Sequence, residues 1–238
     1  MRVIKPFYLK DTLLLQIVSI GAGLSERDFV SFNIEVGQGC KVLIINQGAT
    51  KIMKSVGESS AQQLININVD KDARLEYLPG LTIPFPKSNF YQAIEVNLSP
   101  GSEFGYMEIF SMGRVASLED FMFSNITTQL IVNNGNVPAY FESFHIEPKM
   151  KGNMAVIGEY NYILTGLWTF NILDSDGIEE FDGGVLTWGW TVSGFSFIKG
   201  FSKIGNDMIS KACHIVDDGR DRRGLEKIPW RQLSSAFL

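Results

Sequence analysis

The feature that most constrains this chain is a recurring unit: an apolar or β-branched run, a tight polar turn, and a second apolar run. Residues 32–45 turn at Gly37-Gln38-Gly39, and 65–78 turn at Asp70-Lys71-Asp72. Residues 94–109 turn at Ser99-Pro100-Gly101, and 129–144 turn at Asn133-Asn134-Gly135-Asn136. Counted from Gly37, Asp70, Ser99 and Asn133, the turns are 33, 29 and 34 residues apart. That is too irregular for a strict repeat, yet it suits hairpin-like units stacked into a β-helix-like or layered all-β assembly. An ordinary β-sandwich satisfies the same local pattern, so the pattern alone leaves both open.

No Pro- or Ser-rich linker divides the 238 residues, and one domain over 1–238 is expected. Its β part covers about 1–201 and includes the aromatic run around Trp188-Gly-Trp190. The period then changes: Ile204, Met208, Ala212 and Ile215 share one helical face, which predicts a helix over roughly 202–217 within a helical part ending at 238. The charged cluster 217–223, with Gly219 inside it, reads as a solvated turn. Arg2 and Lys5 precede an apolar run, 13–24, that Gln16 and Ser19 interrupt and that is too short to span a bilayer. A strand ending at Gly21-Ala22-Gly23 is the better reading. Two cysteines, Cys40 and Cys213, make no disulfide framework and favour a reducing cytoplasm. A net charge of −5 argues against nucleic acid as the main partner.

Several chemistries find no support. His145 and His214 are the only histidines, and Cys213 and His214 project about 100° apart if helical, so a closed zinc site is not expected. Asp174-Ser-Asp176-Gly177 begins like a calcium loop without the later ligands and reads as a turn. No phosphate-binding Gly-x-x-x-x-Gly-Lys-Ser/Thr loop occurs, so nucleotide hydrolysis would belong to another chain. His145, between Phe144 and Ile146, reads as a structural histidine rather than a catalytic base. The carboxylates are more informative. Glu108 alternates with Tyr106 and Phe110, and Glu142 with Tyr140 and Phe144, so strand parity puts both on aromatic faces. Each must pair with a base such as Arg114, line a wet internal passage, or face solvent after all.

Five motifs in fixed order carry a resemblance. They are Asn46-Gln-Gly-Ala-Thr-Lys-Ile52, Leu75-Glu-Tyr-Leu-Pro79, Ile83-Pro-Phe85, Met107-Glu-Ile109 and Gly113-Arg-Val-Ala-Ser-Leu-Glu-Asp-Phe121. Together they resemble the UreD (UreH) family of urease accessory proteins over about residues 6–148. Lys51, Glu76, Pro79, Pro84, Gly113, Arg114 and Glu119 are the motif positions expected to serve structure. Three positions depart from the family pattern: Arg27 before Asp28, Gly80 after Pro79, and Leu118 in place of a glycine. Members usually carry further strands before the Pro-Phe-Tyr at 6–8, so the resemblance implies a minimal lineage or an edge open to a partner. Past Pro148 only a C-terminal helix and Pro229-Trp230 are similar.

The resemblance implies a β-helix-like fold with one or two C-terminal helices and no enzymatic activity. It implies a metallochaperone scaffold acting with a helical UreF-like protein and a UreG-like GTPase on apo-urease, without nucleic acid or membrane. It further implies no tightly held cofactor but nickel in transit along Asp28, Thr50, Glu108 and Glu142. Carboxylates hold nickel more weakly than nitrogen or sulfur ligands, which suits passage rather than storage. A purely structural adaptor, and less so a β-helical carbohydrate-active enzyme, are the competing readings.

Overall fold

A computed structural model describes residues 2–4 and 6–237; Lys5 lies outside the described residues. In chain order the strands are β1 (Arg2–Val3), β2 (Phe7–Leu9), β3 (Thr12–Val18), β4 (Phe29–Val36), β5 (Lys41–Asn46), β6 (Thr50–Ile52), β7 (Ala61–Val69), β8 (Arg74–Pro84) and β9 (Asn89–Leu98). They continue as β10 (Glu103–Ser111), β11 (Gly113–Arg114), β12 (Glu119–Asp120), β13 (Asn125–Asn134), β14 (Val137–Ile146), β15 (Tyr162–Trp168), β16 (Gly177–Phe181), β17 (Gly184–Trp190) and β18 (Ser196–Ser202). Helix α1 (Gly205–Arg222) and the short α2 (Trp230–Leu233) close the chain.

The strands alternate between two sheets, as in a flattened solenoid. One sheet stacks β3, β5, β8 and β10 in parallel and then continues antiparallel through β15, β18, β17 and β16. The other stacks β4, β7, β9 and β13 in parallel and ends on β14. The stacked all-β architecture with a C-terminal helix matches the expectation. Three of the four polar turns, however, are arches that carry the chain from one sheet to the other. Only the turn after β13 closes a hairpin, with β14. Lys41 lies opposite Arg74 and Arg74 opposite Glu103, steps of 33 and 29 residues, so the turn spacing is the length of one coil. An amide ladder on the outer face follows the same register: Asn66 donates to Asn33 at 3.2 Å, and Asn97 to Asn68 at 3.1 Å.

Strand parity sorts the apolar residues into three bodies. Between the sheets lie two of them. One contains Ile44, Ile65, Tyr77, Ile94, Tyr106 and Leu130, and the other Ile52, Ala61, Phe90, Phe110 and Ile126. The third, with Leu43, Leu78, Met107, Ile109 and Leu164, lies on the opposite face of the larger sheet under Met208, Ala212 and Val216 of α1.

Helix α1 corrects one expectation. Residues 217–222 are not a solvated turn but its last turns, with Gly219 and Arg220 buried. A Cβ on Gly219 would come within 2.4 Å of the Ile172 carbonyl oxygen, so the glycine is there for close backbone approach. Arg220, 1% exposed, pairs with Glu76 of the larger sheet, also 1% exposed. Asp217 accepts hydrogen bonds from the Ile228 amide at 2.9 Å and the Trp230 indole at 3.0 Å, which ties the Pro229-Trp230 segment to the helix. Ile204 is exposed rather than part of the buried face.

Candidate functional site

Between the two apolar bodies of the lumen lies a polar layer. In β7, Gln63 falls between the inward residues Ala61 and Ile65; in β9, Gln92 falls between Phe90 and Ile94. In β10, Glu108 falls between Tyr106 and Phe110, with 2% exposure. Gln63 and Gln92 are both buried and lie opposite each other on one rung of the β7–β9 ladder.

On the facing sheet a bulge sets the alignment. Tyr106 pairs with Tyr77, but Glu108 pairs with Gly80, so β8 spends one extra residue at Leu78-Pro79-Gly80. Pro79 has no N–H for the ladder, and Gly80 sits at φ +78°, a conformation glycine adopts without strain. The extra residue inverts the parity of the rest of β8. Leu81 packs toward the helix side, and the Thr82 side chain enters the lumen, where it meets Glu108. This is the physical role of the Leu-Glu-Tyr-Leu-Pro motif: Glu76 anchors the helix, and Pro79 turns Thr82 inward.

Among the described residues Glu108 has no cationic partner. Its carboxylate accepts from the Thr82 hydroxyl at 2.8 Å, from the Gln92 amide at 3.0 Å and from the Tyr106 hydroxyl. Burial pushes its carboxyl up to about 7, and the Tyr106, Thr82 and Gln92 hydrogen bonds pull against that rise. Gln92 Oε1 is buried with no hydrogen-bond partner. Next along the larger sheet, Thr165 pairs with Glu108 and Lys199 pairs with Thr165. There Glu142, reaching in from β14, accepts from Tyr140 at 2.8 Å and Thr165 at 3.0 Å and forms an ion pair with Lys199. In the other direction Thr82 pairs with Thr50, which also contacts the Asn46 amide at 3.4 Å. Asn46 and Thr50 line a cavity of about 20 Å³, enough for one water molecule.

Three of the four sequence-predicted metal positions therefore share one line: Thr50, Glu108 and Glu142, joined through Thr82 and Thr165. Asp28 does not. It is exposed before β4, accepts from the Ser25 amide at 2.7 Å, and lines a separate depression with Glu58 and Asn89. The base beside Glu142 is Lys199, not Arg114, which pairs with Glu119 at 3.1 Å across the β11–β12 ladder and stacks on Phe85. Gly113 and Pro84 serve the backbone there: Gly113 pairs with Asp120, and Pro84 ends β8. Leu118 holds φ +58°, a strained backbone for a leucine. His145 is exposed and contacts Thr127 at 2.8 Å and Glu147 at 3.1 Å, a structural setting. Sequence reasoning missed Gln63, Gln92, Thr82, Thr165 and Lys199. The two glutamines were detectable, since each breaks an otherwise apolar inward parity at the same coil position.

Among the described residues, no three His, Cys, Asp or Glu side chains gather to hold a metal ion, and no helix is long and apolar enough to cross a membrane. The fold and its interior define a β-solenoid whose polar chemistry is enclosed rather than set in a surface cleft. A family model described as UreD urease accessory protein matches residues 1–192. Urease accessory protein UreD 1 of Synechococcus sp. (strain JA-3-3Ab) is 33% identical over all of this chain and 88% of its own length. UreD of Deinococcus radiodurans is 33% identical over 70% of this chain and 60% of its own length. UreH of Helicobacter hepaticus is 26% identical over 76% and 72%. The chain belongs to the UreD family of urease accessory proteins.

Proposed function

We propose that this urease accessory protein is a non-catalytic scaffold of a maturation complex and that nickel moves through it toward apo-urease. The path runs from Thr50 past Thr82 and Glu108 to Thr165 and Glu142. The observation that carries the reading is Glu108: a buried carboxylate with neutral donors only, centred in a polar line between two apolar bodies. Structural carboxylates in a core are ordinarily paired with a cation, as Glu76 is. An arriving dication supplies the charge that Glu108 lacks, and carboxylate and hydroxyl oxygens release nickel more readily than histidine or thiolate would. At the far end Lys199 occupies Glu142 and has to be displaced, which makes that pair a gate. Asp28 enters only as a surface collecting point beside Glu58. A UreF-like helical protein and a UreG-like GTPase are the partners this reading requires, since the chain holds no nucleotide loop of its own.

The Glu142–Lys199 ion pair also fits a second reading, a structural adaptor in which nickel takes another route. A Glu108→Gln, Glu142→Gln double variant separates the two. In cells making urease and its accessory chains, nickel content and activity of the urease should fall about tenfold, the effect of adding roughly 1.4 kcal/mol to passage. Co-purification with the accessory chains should be unchanged. Full activation by the double variant leaves only the adaptor.

A further inference from the structure

The Gln47-Gly-Ala-Thr-Lys51 motif is only partly used by the lumen, because Thr50 points inward while Lys51 is exposed. Lys51 faces a groove of about 540 Å³ between the ends of β3 and β8 and the C-terminal segment, within the ~300–1,000 Å³ typical of ligand clefts. The groove is built, not incidental. Gln16 donates to the Leu233 carbonyl, and the Ser235 amide donates to the Gln47 carbonyl at 2.9 Å, so the C-terminal segment forms a fixed wall. Arg231 on that wall stands with Lys51 as the groove's charged groups; both are exposed, and among the described residues neither has an ion-pair partner. Among the described residues no aspartate or glutamate lines the groove, although the chain as a whole carries a charge of −5. Leu81, Ile83 and Val18 supply an apolar side.

We propose that this groove takes an extended acidic segment of a partner protein, its carboxylates meeting Lys51 and Arg231 and its apolar side chains meeting Leu81 and Ile83. This rests on the reading of the chain as a scaffold in a maturation complex and names the chemistry of one of its contacts. Two cations in a groove with no carboxylate among its described lining residues, on an acidic protein, steer an acidic chain and repel a basic one. The half-apolar lining selects a peptide over a free phosphate or a nucleic-acid backbone, which would call for a broader basic surface.

The test uses the full chain and fluorescein-labelled twelve-residue peptides tiling the urease subunits and accessory chains of the same organism. Binding is read by anisotropy in low and high salt. Acidic peptides with interspersed apolar residues should bind the wild-type chain. A Lys51→Glu, Arg231→Glu variant should weaken them by at least about tenfold, and Lys51→Gln, Arg231→Gln by less. Thermal melts of both variants check that the exposed substitutions leave the fold intact. The proposal is overturned if no acidic peptide binds, if neutral or basic ones bind equally, or if the charge-reversed variant binds as well as wild type. Binding of inorganic phosphate, nucleotide or anionic vesicles in place of peptide also overturns it. Urease activation by the wild-type chain is read separately. Activation without peptide binding removes the groove alone, and absence of activation removes the functional reading whatever the peptides do.

Discussion

Replacing Arg220 by alanine should cost about 3–5 kcal/mol, because it leaves Glu76 as a buried carboxylate without its cation. For a chain of this size that corresponds to a melting temperature lower by roughly 6–20 °C. The pair joins residues 144 positions apart, the last turns of α1 and the start of β8. Its loss should therefore free the helix from the sheet before the solenoid opens. Replacing both partners, Glu76→Leu with Arg220→Met, should recover most of the loss, since two apolar groups of similar size avoid the desolvation of either charge. Urea titrations of the two single variants and the pair measure this. A single variant no less stable than the double would contradict it.

Glu108→Gln should do the opposite to stability while harming function. The unfolded chain releases the Glu108 proton near 4.5, and the folded protein keeps it until about 7. Between those values the folded state binds more protons, so wild-type stability falls as pH rises through that window and levels off above it. Glutamine cannot ionise and does not share the loss. Its amide can be received by Gln92, whose Oε1 has no partner, and by the rotatable hydroxyls of Thr82 and Tyr106. The variant's advantage should grow from pH 4.5 to 7 and reach about 3 kcal/mol in the alkaline range. Denaturation midpoints at pH 5, 6, 7 and 8 read it out. Parallel midpoints, or a variant weaker than wild type at pH 8, would show that Glu108 is not a destabilising buried charge. A residue kept at such a cost is characteristic of a functional site.

The coil length is legible in the sequence, because each arch needs polar turn residues and each rung repeats them. Lys41, Arg74 and Glu103 fall in register for that reason. What joins distant rungs was not legible. Parity put Glu108 and Glu142 inside, but it could not pair Glu142 with Lys199, 57 residues on, nor foresee that the Pro79 bulge inverts the rest of β8. Gly219 and Arg220 misled in the other direction. A glycine in a charged run usually marks a turn, yet here it admits the Ile172 backbone, and the charge beside it is buried against Glu76. Composition reports the solvent-facing majority of such a run and hides the one residue that turns inward.

The central claim is that a dication passes Glu108 inside the solenoid. Crystals of the assembled accessory complex, soaked in nickel and measured on both sides of the nickel absorption edge, test it most directly. The account expects an anomalous peak between Thr82, Glu108 and Gln92, absent in the Glu108→Gln complex. Peaks confined to the outer surface, with Glu108 still bonded to Thr82, Gln92 and Tyr106 in a complex that activates urease, would contradict it.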